Sequence, residues 1–130
     1  MKTSSAKAKG RRASVEACNL IMKHIPEIEP GDLYATPAGV TGEDIVRSAK
    51  AKRILPFAFE LKNQEKLNIW QAIEQSKGHV ADHDERTIPV VVFRRNRSDL
   101  HICLKFDDFL KVYASGGIEP HLSLEGKPKP

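Results

Sequence analysis

The stretch that most constrains this chain is Leu55-Pro56-Phe57-Ala58-Phe59-Glu60-Leu61-Lys62-Asn63. Read with a period of two, Phe57, Phe59 and Leu61 share one face, while Ala58, Glu60 and Lys62 share the other. A strand over 55–62 presses three large apolar side chains into a core. On its opposite surface it holds a carboxylate and an ammonium side by side. Upstream, Gly42-Glu43-Asp44-Ile45-Val46 reads as a shorter strand over 43–47, entered through a glycine turn.

The run Ile88-Pro89-Val90-Val91-Val92-Phe93 is apolar throughout, which predicts a strand buried on both faces. The turn Arg95-Asn96-Arg97-Ser98 leads from it into another strand over 100–104. Helices fill the gaps. Ser14 reads as an N-cap, with Val15, Cys18, Ile21, Met22 and Ile25 on one face and Pro26 as the stop. Pro30-Gly31, Pro37 and Gly39 make 27–41 a loop, and Ser48 caps a helical turn to Arg53. A helix over 65–79 takes Leu67, Trp70 and Ile73 as its buried stripe and leaves Gln71 and Gln75 together on a polar face. A last helix, capped by Asp107 or Asp108, turns Phe109, Leu110, Val112 and Tyr113 mostly inward and ends at Gly116-Gly117.

The order is α-β-β-α-β-β-α. The helix between the second and third strands is too long for a hairpin, so that connection is a crossover and those strands can pair in parallel. The expected fold is α/β, a small mixed central sheet of about four strands flanked by helices. With 130 residues the chain forms one domain, expected over 13–117. Residues 1–12 form a flexible basic arm or a helix lead-in, and 118–130 a disordered tail.

The chain lacks the long apolar run of a membrane span, and no apolar segment follows the basic start to make a signal peptide. The expectation is an intracellular, non-secreted protein, with Cys18 and Cys103 as reduced core thiols. The net charge of +4 (pI ≈ 9.1) is concentrated in the first twelve residues and in Arg94-Arg95-Asn96-Arg97, which points to a polyanionic partner.

An acid on one strand followed by acid-x-lysine on the next resembles the catalytic pattern of the PD-(D/E)xK nucleases. The likeness extends over roughly residues 9–112: Lys9-Gly10-Arg11-Arg12, Gly42-Glu43-Asp44, Ser48, Leu55 to Asn63, Leu67-Asn68-Ile69-Trp70, Gln75, Pro89 to Arg97 and Phe106 to Leu110 are similar to small phage-type members. The resemblance implies a restriction-endonuclease-like core and divalent-metal-dependent cleavage of DNA, duplex or branched. It also implies a place in recombination, repair or DNA processing. Holliday-junction resolvases share this core at this size and work as homodimers, so a homodimer is among the implied states.

Carried over by position, Asp44 and Glu60 are metal ligands, with the Leu61 backbone carbonyl as a further one. Lys62 is the catalytic lysine that orients or polarises the attacking water, and Gln75 matches a glutamine that orients it or touches phosphate. Glu16 matches a helix-borne glutamate that binds metal in some resolvases. Glu43 is a neighbour rather than a ligand, because adjacent strand residues face opposite ways. The implied cofactor is Mg²⁺, with Mn²⁺ as a substitute. Lys9, Arg11, Arg12, Arg94, Arg95 and Arg97 are the expected nucleic-acid contacts. No proline precedes Asp44, a departure from the literal motif.

Bland readings stand beside these. Glu60 and Lys62 could be a solvated pair on an exposed strand, the arginine turn a soluble hairpin tip, and Trp70 a core residue rather than a base-stacking platform. His79 and His83, beside Asp82 and Asp84, could hold zinc or belong to a charged loop. The alternative to a nuclease is a non-catalytic nucleic-acid-binding module that keeps the fold. A third reading is an interaction protein in which the motif arose by chance.

Overall fold

The computed structural model describes residues 4–81 and 84–117. Its elements are α1 (Ser4–His24), β1 (Leu33–Ala35), β2 (Ile45–Arg47), α2 (Ala49–Ile54), β3 (Phe57–Asn63), α3 (Ile69–Lys77), β4 (Ile88–Arg94), β5 (His101–Cys103) and α4 (Phe106–Val112). The fold is mixed α/β, with its strands in two small sheets. β1 and β2 form an antiparallel pair, while β3, β4 and β5 form a sheet in that order. β3 and β4 run parallel, as the crossover through α3 requires, and β5 returns antiparallel to β4.

The alternation in β3 survives with its two faces as read, but neither face is solvated. On one side Phe59 and Leu61, with Val90 and Val92 beside them, meet Ala13, Ala17 and Cys18 of α1. Small residues on α1 let the helix lie close to the sheet. Ile28, Leu33 and Ile45 join the same cluster, so both sheets share one core. On the other side Ala58, Glu60 and Lys62 are buried as well. That face lies against α3, whose own buried residues are Ala72 and Ser76.

Several expectations are corrected. Of the two readings of residues 1–12, the helix lead-in holds from Ser4 on, where α1 starts and runs unbroken through Gly10. Ser14 is therefore no cap. It is buried inside the helix and its hydroxyl donates to the Gly10 carbonyl at 3.2 Å. The expected loop over 27–41 contains β1, too short and too crowded by Pro and Gly for periodicity to reveal.

The helix expected over 65–79 spans only Ile69–Lys77, capped by Asn68, whose Oδ1 accepts from the Gln71 N–H. Its buried side is small rather than large, and Trp70 is 75 % exposed instead of in the core. The last helix starts at Phe106, ahead of the expected aspartate caps. Asp107 and Asp108 occupy its first turn, where the helix dipole favours acids. It buries no residue fully: Phe109, Leu110 and Tyr113, expected inward, are exposed, and Val112 is half-buried.

Ser48 caps α2 as expected, with Oγ accepting from the Ala51 N–H at 3.0 Å. Cys18 and Cys103 are free thiols, and burial pushes Cys18 up to about 11. Among the described residues no helix is long and apolar enough to cross a membrane. Asp82, His83 and the tail over 118–130 lie outside the described residues.

Candidate active site

Asp44 sits where the two sheets meet. Gly42, at φ 121°, takes a backbone conformation closed to most side chains and turns the chain into β2. The Asp44 carbonyl then accepts from the Thr36 N–H at 2.9 Å, and its own N–H donates to the Phe59 carbonyl at 3.1 Å. Its carboxylate reaches further along β3, where Oδ2 accepts the Leu61 N–H at 2.7 Å. The N–H and C=O of one strand residue point to the same edge. The Leu61 carbonyl thus faces the edge on which Asp44 lies. Glu43 points away, as expected for its alternate position, and grips the buried Arg47 through two hydrogen bonds of 2.9 Å.

Glu60 is clamped from both sides. Its side chain is 6 % exposed, with Oε2 at 3.3 Å from Lys62 Nζ and Oε1 at 2.5 Å from His79 Nε2. The solvated Glu/Lys pair is therefore excluded, because Lys62 is itself only 8 % exposed. His79 follows directly on the Gly78 that ends α3, and that helix position aims its ring at the sheet. The His79/His83 spacing does not foreshadow this contact, and His83 lies outside the described residues. What brings it to Glu60 is the α3 crossover, which no local spacing encodes.

Asp44, Glu60, Leu61, Gln75 and His79 line a cleft of about 490 Å³ between the start of α1 and the loop through Pro37 and Val40. Lys7, Gly10 and Arg11 form its α1 wall, and Arg11 Nη1 donates to the Thr36 carbonyl at 3.3 Å. Lys62 is not part of the lining and touches the cleft only through Glu60. Burial is the main cause that raises the Asp44 carboxyl above its ordinary value. The nearby Glu60 charge adds to this, while the Leu61 N–H, His79 and Lys62 work against it.

Other expected site residues lie elsewhere. Glu16 is outside this cleft, where its Oε1 accepts from Arg94 Nη1 at 2.6 Å across a second hollow that Arg11 and Arg12 also line. Arg94 is thus held by an acid, whereas Arg95 and Arg97 stand exposed in the turn after β4, with Arg97 at φ 62°. Lys9 contributes its carbonyl, which accepts from Asn63 Nδ2 at 3.1 Å.

The chemistry of the donor set fits a hard divalent cation. Two carboxylates and a strand carbonyl are oxygen donors of the kind Mg²⁺ and Mn²⁺ take, with water completing the shell. Among the described residues no three His, Cys, Asp or Glu side chains form a ready-made metal cluster. Comparison with family models, curated proteins and solved structures gives no match for this chain.

Proposed function

We propose that this protein is a divalent-metal-dependent endonuclease that hydrolyses DNA phosphodiester bonds. The observation that carries the reading is the placement of Asp44. A backbone bond to Phe59 and a carboxylate bond to Leu61 fix this acid, which stands just ahead of β2, beside Glu60 of β3. The acid and the acid-x-lysine of the sequence pattern are thus neighbours in space.

Asp44, Glu60 and the Leu61 carbonyl would hold Mg²⁺ or Mn²⁺, which supplies Lewis acidity and water activation. The rest falls to the protein's own groups. Lys62 and His79 fix the two oxygens of Glu60 and so set its orientation. Lys62 also offsets negative charge from beneath the site rather than from inside the cleft. Arg11 and Lys7 line the α1 wall, where a phosphate backbone would approach, and Gln75 offers an amide from α3. Processing of duplex or branched DNA, including Holliday-junction resolution, is the substrate class this reading implies.

One observation favours the second reading, a binding module that does not cut. Both Glu60 oxygens are already engaged, by His79 and by Lys62. A gel assay with and without Mg²⁺ or Mn²⁺, on four-way junction, linear duplex and single-stranded DNA, separates the two. Metal-dependent cleavage that Glu60→Gln and Glu60→Ala both abolish is expected. Salt-sensitive binding with no cleavage of any substrate would install the binding module instead.

A further inference from the structure

Trp70 is the chain's one tryptophan, and it stands exposed although tryptophans are on average well buried in folded proteins. α3 sets its direction. Ile69, Ala72, Ile73 and Ser76 turn toward the sheet, while Gln75 turns to the cleft along the β3 edge where Asp44 lies. Trp70 precedes Gln75 by a spacing that puts the two roughly 140° apart around the helix, on opposite flanks. The Trp70 flank therefore faces β4 and β5. Height along the sheet follows as well. His79, just past the end of α3, meets Glu60 in the middle of β3. The first turn of α3 lies about 10 Å back along the helix, and Asn63, where β3 ends, is about 10 Å beyond Glu60. Trp70 thus stands level with the C-terminal ends of β3 and β4, which the Gln64 N–H joins by donating to the Arg94 carbonyl at 3.1 Å.

The same end and flank carry two further features. The turn Arg95-Asn96-Arg97-Ser98 leaves β4 there, with Arg95 and Arg97 exposed while Arg94 is tied to Glu16. Phe93 pairs with Lys62, and His101 pairs with Phe93, so both rings share the sheet face on which α3 lies. Their centroids are 5.9 Å apart, and His101 is exposed. We propose that Trp70 is a stacking platform for unpaired bases, on the far side of α3 from the cleft, with Arg95 and Arg97 on the adjoining phosphates. Stacking on an aromatic face beside cations is how proteins take single strands, since every base offers a π-face. Charge favours this occupant, because Glu65 and Asp99 offset only part of Lys66, Arg95 and Arg97. A protein partner calls for a contiguous apolar patch. Trp70 instead has half-buried Ile73 and the Glu74–Lys77 ion pair at i+3, i+4 and i+7. The proposal rests on the nucleic-acid reading above and narrows it, from DNA at large to DNA that carries a single-stranded segment.

The test uses the full chain without divalent metal, titrated with labelled single-stranded, flapped and fully paired DNA of one length. Anisotropy of the label reads binding, and intrinsic fluorescence reads Trp70 alone, because no other tryptophan is present. Single-stranded and flapped DNA should quench Trp70, and paired duplex should leave it bright. Trp70→Leu, which keeps apolar bulk without a ring, should weaken single-strand binding by roughly 5- to 100-fold. Its duplex affinity and melting temperature should not change, and Trp70→Phe should retain most single-strand binding. DNA that binds while Trp70 stays unquenched overturns the proposal, leaves the nucleic-acid reading standing and hands the residue to a protein partner. Equal quenching by paired duplex overturns it too, as does a Trp70→Leu chain that binds single strands like the wild type. A chain that binds none of the three DNAs overturns both readings together.

Discussion

At Asp44 the folded state binds a proton more tightly than the unfolded chain does, because burial raises its carboxyl above the ordinary value. Its contribution to the stability of the metal-free protein is therefore highest below the ordinary carboxylate range. It declines as pH rises from that range through the raised value, and the loss persists above it. Calorimetric melting across this window should show the decline. Asp44→Asn, which still offers an oxygen to the Leu61 N–H, should flatten it, raise Tm at neutral pH and abolish cleavage. Glu60 and Lys62 behave differently, as a buried pair. Lys62→Ala removes one partner of a buried carboxylate and should cost ~3 kcal/mol in urea unfolding. Glu60→Gln combined with Lys62→Met should recover most of that, while cleavage stays lost. His79 is a positioning residue on this reading. His79→Gln should lower kcat/KM by ~10–100-fold, the usual cost of removing a ligand's outer partner, with Kd for DNA unchanged.

The elements explain what could be read beforehand. β3 and β4 were legible because strong alternation and an unbroken apolar run are signals internal to a segment. The parallel pairing followed from one helix between them, and the Ser48 cap from one residue. Trp70 of α3 departs from its expected place in the core because large apolar residues at helical spacing do not reveal which neighbour the helix meets. A sheet face that already carries Glu60 and Lys62 needs small partners, Ala72 and Ser76. The Asp44, Glu60 and Lys62 constellation was legible as residue types in order. His79 and the Glu16–Arg94 pair were not, because chain crossings bring them to their partners. Gly42 tests how far an element's turn governs the site. Gly42→Ala meets no neighbouring atom, so its cost is conformational, more than ~1 kcal/mol at this positive φ. Cleavage should fall further than stability, since Asp44 sits two residues on. Parallel denaturation and activity measurements check this.

At the scale of the whole molecule, positive charge recurs in clusters, along α1, in α2 and at the turn after β4. DNA affinity should fall steeply with salt. Arg11→Ala and Arg12→Ala should each reduce the slope of log K against log salt by about 1. Arg94→Ala should do more than remove a phosphate contact, because it strands Glu16. Titrations at three or more ionic strengths distinguish these effects.

The two sheets share a core, and the backbone hydrogen bond from the Asp44 amide, just ahead of β2, to the Phe59 carbonyl of β3 ties the β1–β2 hairpin to the larger sheet. That amide is consequently a gauge of the seam. Its deuterium uptake reports how often the hairpin lifts from β3, on a timescale that static contacts do not reveal. A cation gripped by both Asp44 and Glu60 would rivet the seam shut and slow the uptake at this one position. Occupancy of the site could then be followed in a protein that has never met its substrate.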